Sequence, residues 1–230
     1  MKNIKNFYYD NNYAIINAYN RKEFLFLRNF VDNWILNLLK YELNNIKKFS
    51  IDNYHNLNIK QKIHNKLFSA KNRHLKINSK LKKILLNKKI KNFYIKIAKK
   101  KKINLWDEGF GNLAFRIIRP NSTDGYPFEK KRWGPAKGVF SFWIPIYGFS
   151  SKSSLCIVKN SNKFEYKKRY FPNSKFQKNE MRLSQKISQS GIYFPRFNLG
   201  DVLIFGDNLL HAERHNISKK TRINLEFRIF

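Results

Sequence analysis

Gly200-Asp201-Val202-Leu203-Ile204-Phe205, followed by Leu210-His211, Asn216 and Thr221-Arg222-Ile223-Asn224-Leu225-Glu226-Phe227-Arg228, is the stretch on which the fold turns. In its last part Arg222, Asn224, Glu226 and Arg228 alternate with Ile223, Leu225, Phe227 and Ile229. A period of two places successive side chains on opposite faces, so this run predicts a strand with one wet and one dry face. The apolar run Val202 to Phe205 predicts a second strand. Together they read as a strand pair around a polar hairpin. His211 stands at the mouth of the turn and Arg222 enters the second strand, so the two are expected on adjacent strands.

Working back from this end, Leu113 to Ile118, Val139 to Ile146 and Leu155 to Val158 are short aromatic and β-branched runs bounded by Gly, Pro, Asn and Ser. Several such strands separated by turn signals predict a β-sandwich or barrel. The character differs before about residue 105. Asn20 followed by Glu23 predicts a capped helix start, and Phe24, Leu27, Val31, Trp34, Ile35, Leu38 and Leu39 then recur at helical spacing. From Ile59 to Ile97, Lys and Asn alternate with Ile and Leu, which predicts one to three basic helices. Tyr13 to Ile16 predicts an edge strand. Helices first and strands after point to an α+β fold: a basic, mainly helical part over residues 1–104 packs on a strand core over 105–230, in one structural domain.

With 230 residues, 42% of them hydrophobic, the chain is long and apolar enough to bury a core. No apolar run is long enough to span a membrane, and the first residues lack the apolar core and cleavage site of a signal peptide, so a cytoplasmic protein is expected. The single cysteine, Cys156, excludes an internal disulfide and a multi-cysteine metal site; in Leu155-Cys156-Ile157-Val158 it reads as a buried, inert thiol. A net charge of +32 favours polyanions by counterion release. The chain is also crowded with Lys, Asn, Ile, Phe and Tyr, all encoded by A/T-rich codons, so base composition could produce the charge without a selected partner, and the residues leave both origins open. No zinc-finger or RNP-type pattern accompanies it, and no specific nucleic-acid partner is predicted.

Strong local catalytic signatures are absent: no Gly-x-Ser-x-Gly, no phosphate-binding loop, no dinucleotide fingerprint. His211-Ala212-Glu213-Arg214-His215 spaces two histidines by four but lacks the Glu directly after the first that a zinc-protease helix needs. His55, His64 and His74 fall in the basic helical part and are expected to face solvent.

What remains is the closing pattern. Gly-Asp-x-Leu-x-Phe, Leu-His, Asn and Thr-Arg-Ile-x-Leu-Glu-Phe resemble the C-terminal end of the iron(II)/2-oxoglutarate dioxygenases, in particular their phytanoyl-CoA dioxygenase-like branch. Phe115-Arg116-Ile117-Ile118-Arg119-Pro120 and Phe142-Trp143-Ile144-Pro145-Ile146 are similar to two further strands of that family, so the likeness covers roughly residues 105 to 230. The resemblance implies a double-stranded β-helix, a cupin-like jelly-roll barrel, buttressed here by the N-terminal helices. It implies Fe(II) and 2-oxoglutarate as cofactors, His211 as the distal iron ligand and Arg222 as the side chain that grips the 2-oxoglutarate carboxylate. Imidazole suits ferrous iron, and a planar guanidinium binds a carboxylate through two parallel hydrogen bonds.

The departure lies where the family has its His-x-Asp ligands. There the chain reads Gly125-Tyr126-Pro127-Phe128-Glu129-Lys130-Lys131, which sets Phe128 at the His and Lys130 at the Asp. Neither can ligate iron. Asp124 and Glu129 are the remaining candidates for a weaker ligand, and Lys130 could instead fill the metal position and, with Arg222, contact an anion. Three functions stay open on the residues: a small-molecule hydroxylase of the oxygenase type; a non-catalytic protein that binds a dicarboxylate, another anionic small molecule or a protein partner through the same pocket; and a basic nucleic-acid-associated protein for which the barrel is scaffold.

Overall fold

The computed structural model describes residues 2–42, 51–57, 59–67, 69–107, 109, 111–122, 128–134, 136–171 and 180–230. The elements run α1 (Lys2–Asn11), β1 (Tyr13–Asn17), α2 (Arg21–Glu42), α3 (Gln61–Leu67), α4 (Ala70–Arg73), β2 (His74–Leu75), α5 (Ser79–Leu85), α6 (Lys88–Ala98), β3 (Leu113–Ile118), β4 (Phe140–Tyr147), β5 (Leu155–Val158), β6 (Lys168–Phe171), β7 (Glu180–Leu183), β8 (Ile192–Tyr193), β9 (Asp201–Gly206), β10 (His211–Glu213) and β11 (Arg222–Ile229).

Local chemistry starts the helices where the sequence indicates. At the head of α2 the Asn20 N–H donates to Glu23 Oε2 at 2.9 Å and the Glu23 N–H donates to Asn20 Oδ1 at 3.0 Å, a reciprocal cap. Phe24, Leu27, Val31, Ile35 and Leu39 then form its buried stripe. The basic stretch divides into more helices than expected, α3 to α6, because asparagines punctuate it. Asn78 and Asn87 cap α5 and α6, accepting from the Leu81 and Ile90 N–H groups at 2.8 and 3.1 Å. His64 and His74, expected in solvent, are buried instead, and His64 Nδ1 lies 2.6 Å from the Tyr54 hydroxyl.

Antiparallel pairs build a six-stranded sheet in the order β1-β9-β4-β11-β3-β2 and a three-stranded sheet in the order β10-β5-β8; β6 and β7 pair separately. β11 is central, flanked by β4 and β3. Its Leu225 and Phe227 join Phe115, Phe142 and Ile144 in the core shared with α2, α5 and α6. The Phe142 and Phe227 rings stack at 4.8 Å. Each such side chain stabilises the fold by roughly 1.5–3 kcal/mol through burial. On the opposite face Trp143, Leu203 and Phe205 of the large sheet meet Leu155 and Ile157 of the small one, with Leu209 between them. The two sheets thus enclose a second, smaller interior.

Two expectations change here. β9 and β11 are not a hairpin pair: β4 lies between them, and β10 leaves for the other sheet, where it pairs with β5. The alternate face of β11 is not wet either. Arg222 and Asn224 are 0% exposed and Glu226 is 5% exposed, because the small sheet covers that face. A period of two reports which side chains share a face and leaves open what covers it. Among the described residues no helix is long and apolar enough to cross a membrane.

Candidate functional site

The polar face of β11 is the floor of a buried ion cluster. Arg116 comes from β3, and His211 and Glu213 come from β10 in the facing sheet. The segment around Glu129 is tied to β10 by two backbone hydrogen bonds, Glu129 N–H to the His211 carbonyl at 2.9 Å and His211 N–H to the Glu129 carbonyl at 3.1 Å. This bridge fixes which side chains face inward. Glu129 Oε1 lies 3.8 Å from His211 Nε2, and the Lys131 ammonium donates to the same Oε1 at 2.5 Å. Two residues apart, Glu129 and Lys131 share a face.

A second group continues the cluster. Arg222 donates to the Ser153 carbonyl at 2.9 Å and pairs with Glu213 Oε2. Arg116 Nε stands 3.4 Å from Glu213 and 3.8 Å from Glu226, and Arg228 donates to Glu226 at 2.9 Å. Between these groups remains a cavity of about 10 Å³, lined by Arg116, Glu129, Lys131, His211, Glu213 and Glu226 among others. That is about the room one water molecule occupies. Asn224 is buried with neither amide atom hydrogen-bonded, and Trp143 Nε1, Thr221 Oγ1 and Arg222 Nε are likewise buried without a hydrogen-bond partner.

The cluster sets its own protonation. The His211 pKa is lowered to about 4, by burial first and by the Lys131 charge next, against the opposing Glu129. His211 is therefore neutral near pH 7. Its Nδ1 lies 2.9 Å from the Leu209 carbonyl; with the proton on Nδ1 this is a donated bond and Nε2 presents its lone pair to Glu129 and Lys131. Burial opposes ionisation of Glu129, yet Lys131, His211 and Arg116 outweigh it and hold the carboxyl below its ordinary range. Burial also opposes the Lys131 charge, and Glu129 with Glu226 outweighs it, raising that pKa. Glu213 is held low by Arg222 and Arg116 in the face of its burial. Glu129, Glu213, Lys131 and Arg222 are thus held as charged pairs in the interior, with an imidazole that stays neutral.

The structure brings together His211, Arg222 and Glu129 from the expected set. It does not bring Lys130 there. Its Nζ donates to the Ser161 and Phe164 carbonyls at 2.9 and 3.0 Å and to Asn208 Oδ1 at 2.9 Å, beside the Tyr166 ring. The alternation that turns Glu129 and Lys131 toward the cluster turns Lys130 to the opposite side, where it too is buried, so the position next to His211 belongs to Lys131. Phe128 is half-buried, and its carbonyl accepts from the Leu183 N–H at 3.1 Å. Asp124 lies outside the described residues. Sequence reasoning missed Lys131, Glu213 and Arg116. Arg116 was visible as the polar alternate between Phe115 and Ile117, whereas Glu213 lies in a run too short to show a period. Cys156 is buried as expected; burial raises its pKa to about 12, and its Sγ–H lies 3.2 Å from the Ala212 carbonyl. Among the described residues no three His, Cys, Asp or Glu side chains are grouped to hold a metal ion.

No protein-family model matches this sequence, and no curated protein matches it. Solved structures do match its fold. The non-heme alpha-ketoglutarate-dependent carbocyclase SnoK from nogalamycin biosynthesis superposes with a TM-score of 0.61 at 12% identity, over 100% of this chain and 83% of that one. EctD from S. alaskensis, solved with 2-oxoglutarate and 5-hydroxyectoine, gives 0.62 at 10% identity over 100% of this chain and 75% of its own. EvdO2 from Micromonospora carbonacea var. aurantiaca, also solved with 2-oxoglutarate, gives 0.64 at 8% identity over 100% and 90%. The helices and antiparallel sheets of this chain together have the fold shared with SnoK, EctD and EvdO2.

Proposed function

We propose that this chain is a non-catalytic descendant of the iron(II)/2-oxoglutarate oxygenases, in the phytanoyl-CoA dioxygenase-like branch, whose jelly-roll interior is filled by its own ion pairs. The observation that carries this is the Lys131 ammonium bonded to Glu129 beside His211. An oxygenase iron takes two imidazoles and a carboxylate with open positions for its other ligands. Here His211 and Glu129 supply two donors, while Lys131 offers a positive charge and no lone pair. Arg222, the counterpart of the cosubstrate-binding arginine, is engaged by Glu213 and Ser153. The residues present do not fit Fe(II), and the remaining cavity does not fit 2-oxoglutarate. An internal cation and an internal carboxylate stand in for the two cofactors.

A second reading is favoured by the orphaned buried atoms of Asn224, Trp143 and Arg222. Such atoms are costly unless water or a ligand meets them. A small dicarboxylate that displaced Glu213 from Arg222 would accept from the donors among them, Asn224 Nδ2, Trp143 Nε1 and Arg222 Nε, without turnover. Two measurements separate the readings. Anaerobic Fe(II) with 2-oxoglutarate is expected to give no metal-to-ligand absorption band, and a band would overturn the non-catalytic assignment. Calorimetry with 2-oxoglutarate in metal-free buffer is expected to show no heat of binding; saturable heat lost in Arg222→Gln would establish the second reading in place of the first.

A further inference from the structure

β1 ends the strand order of the large sheet and β8 that of the small one, and Tyr13 of β1 stacks on Tyr193 of β8 across the gap, with ring centroids 6.2 Å apart. The register fixes which backbone groups of β1 are used. The Asn12 carbonyl accepts from the Gly206 N–H at 3.0 Å, and the Ala18 N–H donates to the Gly200 carbonyl at 2.9 Å. Both pairs continue the ladder that joins Tyr13 to Phe205 and Asn17 to Asp201. Alternate residues bond across an antiparallel pair, so Ala14 and Ile16 also turn their N–H and carbonyl groups to β9, while Tyr13, Ile15 and Asn17 turn theirs away. Asn17 agrees with this parity: its carbonyl accepts from the Lys89 ammonium at 3.0 Å.

Beside that edge runs an apolar groove. Asn12, at φ 60°, turns the chain between α1 and β1, and its N–H donates to the Tyr8 carbonyl at 2.6 Å. Tyr8 is buried, and the Tyr9 hydroxyl donates to the Lys96 and Ile97 carbonyls of α6 at 3.2 Å each. Ile4 and Phe7, three apart on another flank of the helix, stay 37% and 43% exposed, and the Phe7 ring meets Tyr13 edge-on at 5.3 Å. With Tyr13, Ala14, Ile15 and Tyr193 they line a groove of about 390 Å³. Successive strand residues point to opposite faces, so a groove that touches Tyr13, Ala14 and Ile15 follows the edge of the strand. None of these residues belongs to the ion cluster, and none is acidic. Asp10, the acid of α1, does not line the groove. Exposed lysines flank it: Lys159 Nζ stands 4.9 Å from the centre of the Tyr193 ring, and Lys89 caps the Asn17 end.

We propose that the free edge of β1 takes an extended acidic segment of a partner protein as an added strand. Its backbone would pair with the outward N–H and carbonyl groups of Tyr13 and Ile15, and its apolar side chains would enter the groove between Phe7 and Tyr193. An exposed edge is a template for a further strand, and main-chain bonds with pockets for alternate side chains are how such strands are held. Charge selects the occupant. A second copy of this chain would bring another +32 to the contact, whereas an acidic segment is drawn to Lys89 and Lys159. An apolar groove beside a row of backbone amides has nothing to offer the bases or phosphates of a nucleic acid that the rest of this basic surface lacks.

The test is fluorescence anisotropy of the full chain, at physiological salt, with a labelled peptide in which Val and Phe alternate with Glu. Two further peptides carry N-methyl groups on every second amide, one in each parity. The parent peptide is expected to bind saturably. One methylated parity is expected to lose at least tenfold and the other to bind like the parent, because only alternate residues of an added strand bond to β1. Phe7→Ala is expected to weaken binding severalfold. Ile15→Pro removes an N–H that points away from β9, as an edge strand tolerates, and is expected to weaken binding about tenfold. Thermal melts like those of the native chain will show that both variants fold, and the methylated peptides test the pairing without any change to the protein. No binding of the parent peptide overturns the proposal, as does equal binding of all three peptides, which is adsorption by charge alone. Sedimentation that shows a dimer dispersed by Ile15→Pro overturns it in favour of a second copy. DNA-duplex binding weakened alike by Phe7→Ala and Ile15→Pro overturns it in favour of a nucleic acid.

Discussion

Lys131 is held in the interior by partners that outweigh its burial, and the pair it makes with Glu129 is worth more intact than broken. Removing one member of a buried ion pair strands the other charge, at a cost of about 3–5 kcal/mol, while replacing both by neutral groups is often close to free. Lys131→Met is therefore expected to lose about that much stability in urea unfolding, and Glu129→Gln with Lys131→Met to recover most of it. A loss in the double variant as large as in the single one would show that the pair is not the unit. His211 adds a pH dependence to the same cluster. Its folded pKa, about 4, lies below its ordinary 6.5, so the unfolded chain takes up the proton first. The stability tied to neutral His211 is complete above pH 6.5 and is lost as the pH falls to about 4, on the order of 3 kcal/mol. Glu129 and Glu213, both held below their ordinary 4.5, extend the loss to lower pH. The urea midpoint is expected to fall between pH 6.5 and 4 in the native protein and to vary much less in His211→Gln.

At the scale of elements, strands were legible where an alternating run or a short apolar run was marked off by turn residues: β3, β4, β5, β9 and β11 all fall where the sequence indicated, within a residue or so at their ends. β10 was not, because three residues cannot display a period, and so the partner sheet and with it Glu213 went unseen. The pairing of β4 with β11 adds what no pattern reveals. The register shifts between Ile223 and Asn224, opposite Pro145 and Tyr147. Proline has no N–H to give to a ladder, and an irregularity is where an interior strand tolerates it. Just beyond, Gly148 takes φ +65°, and a Cβ there would stand 2.0 Å from the Thr221 carbonyl oxygen, next to Arg222. Gly148→Ala meets both backbone strain and that clash, and is expected to cost about 2 kcal/mol or more in unfolding free energy. Gly138 is the internal control. Its φ is +79° with nothing within 4 Å of a Cβ, so Gly138→Ala meets the strain alone and is expected to cost clearly less. Equal losses would mean that the close approach of β4 to the start of β11 is unimportant.

For the whole molecule, the question is whether the basic helical part and the strand core fold as one. The helix-side core is continuous: Leu27, Val31 and Ile35 of α2, Leu81 and Leu85 of α5, and Ile90 and Tyr94 of α6 belong to the same buried cluster as Phe115, Phe142 and Phe227 of the large sheet. The sheet is completed at both ends by strands from the helical part, β1 on β9 and β2 on β3. Residues 105–230 alone would leave one apolar face of that sheet in water and two strand edges unpaired, which favours aggregation over folding. We therefore expect a single cooperative transition, with tryptophan fluorescence and far-ultraviolet circular dichroism tracing the same urea curve. A fragment of residues 105–230 is expected to be insoluble or to bind a hydrophobic dye. Non-coincident curves, or a soluble fragment that keeps the native strand signature, would show that the helices are an appendage. In that case the basic helical part and the ion-filled interior would be separable, and the charge of the first would have no structural claim on the second.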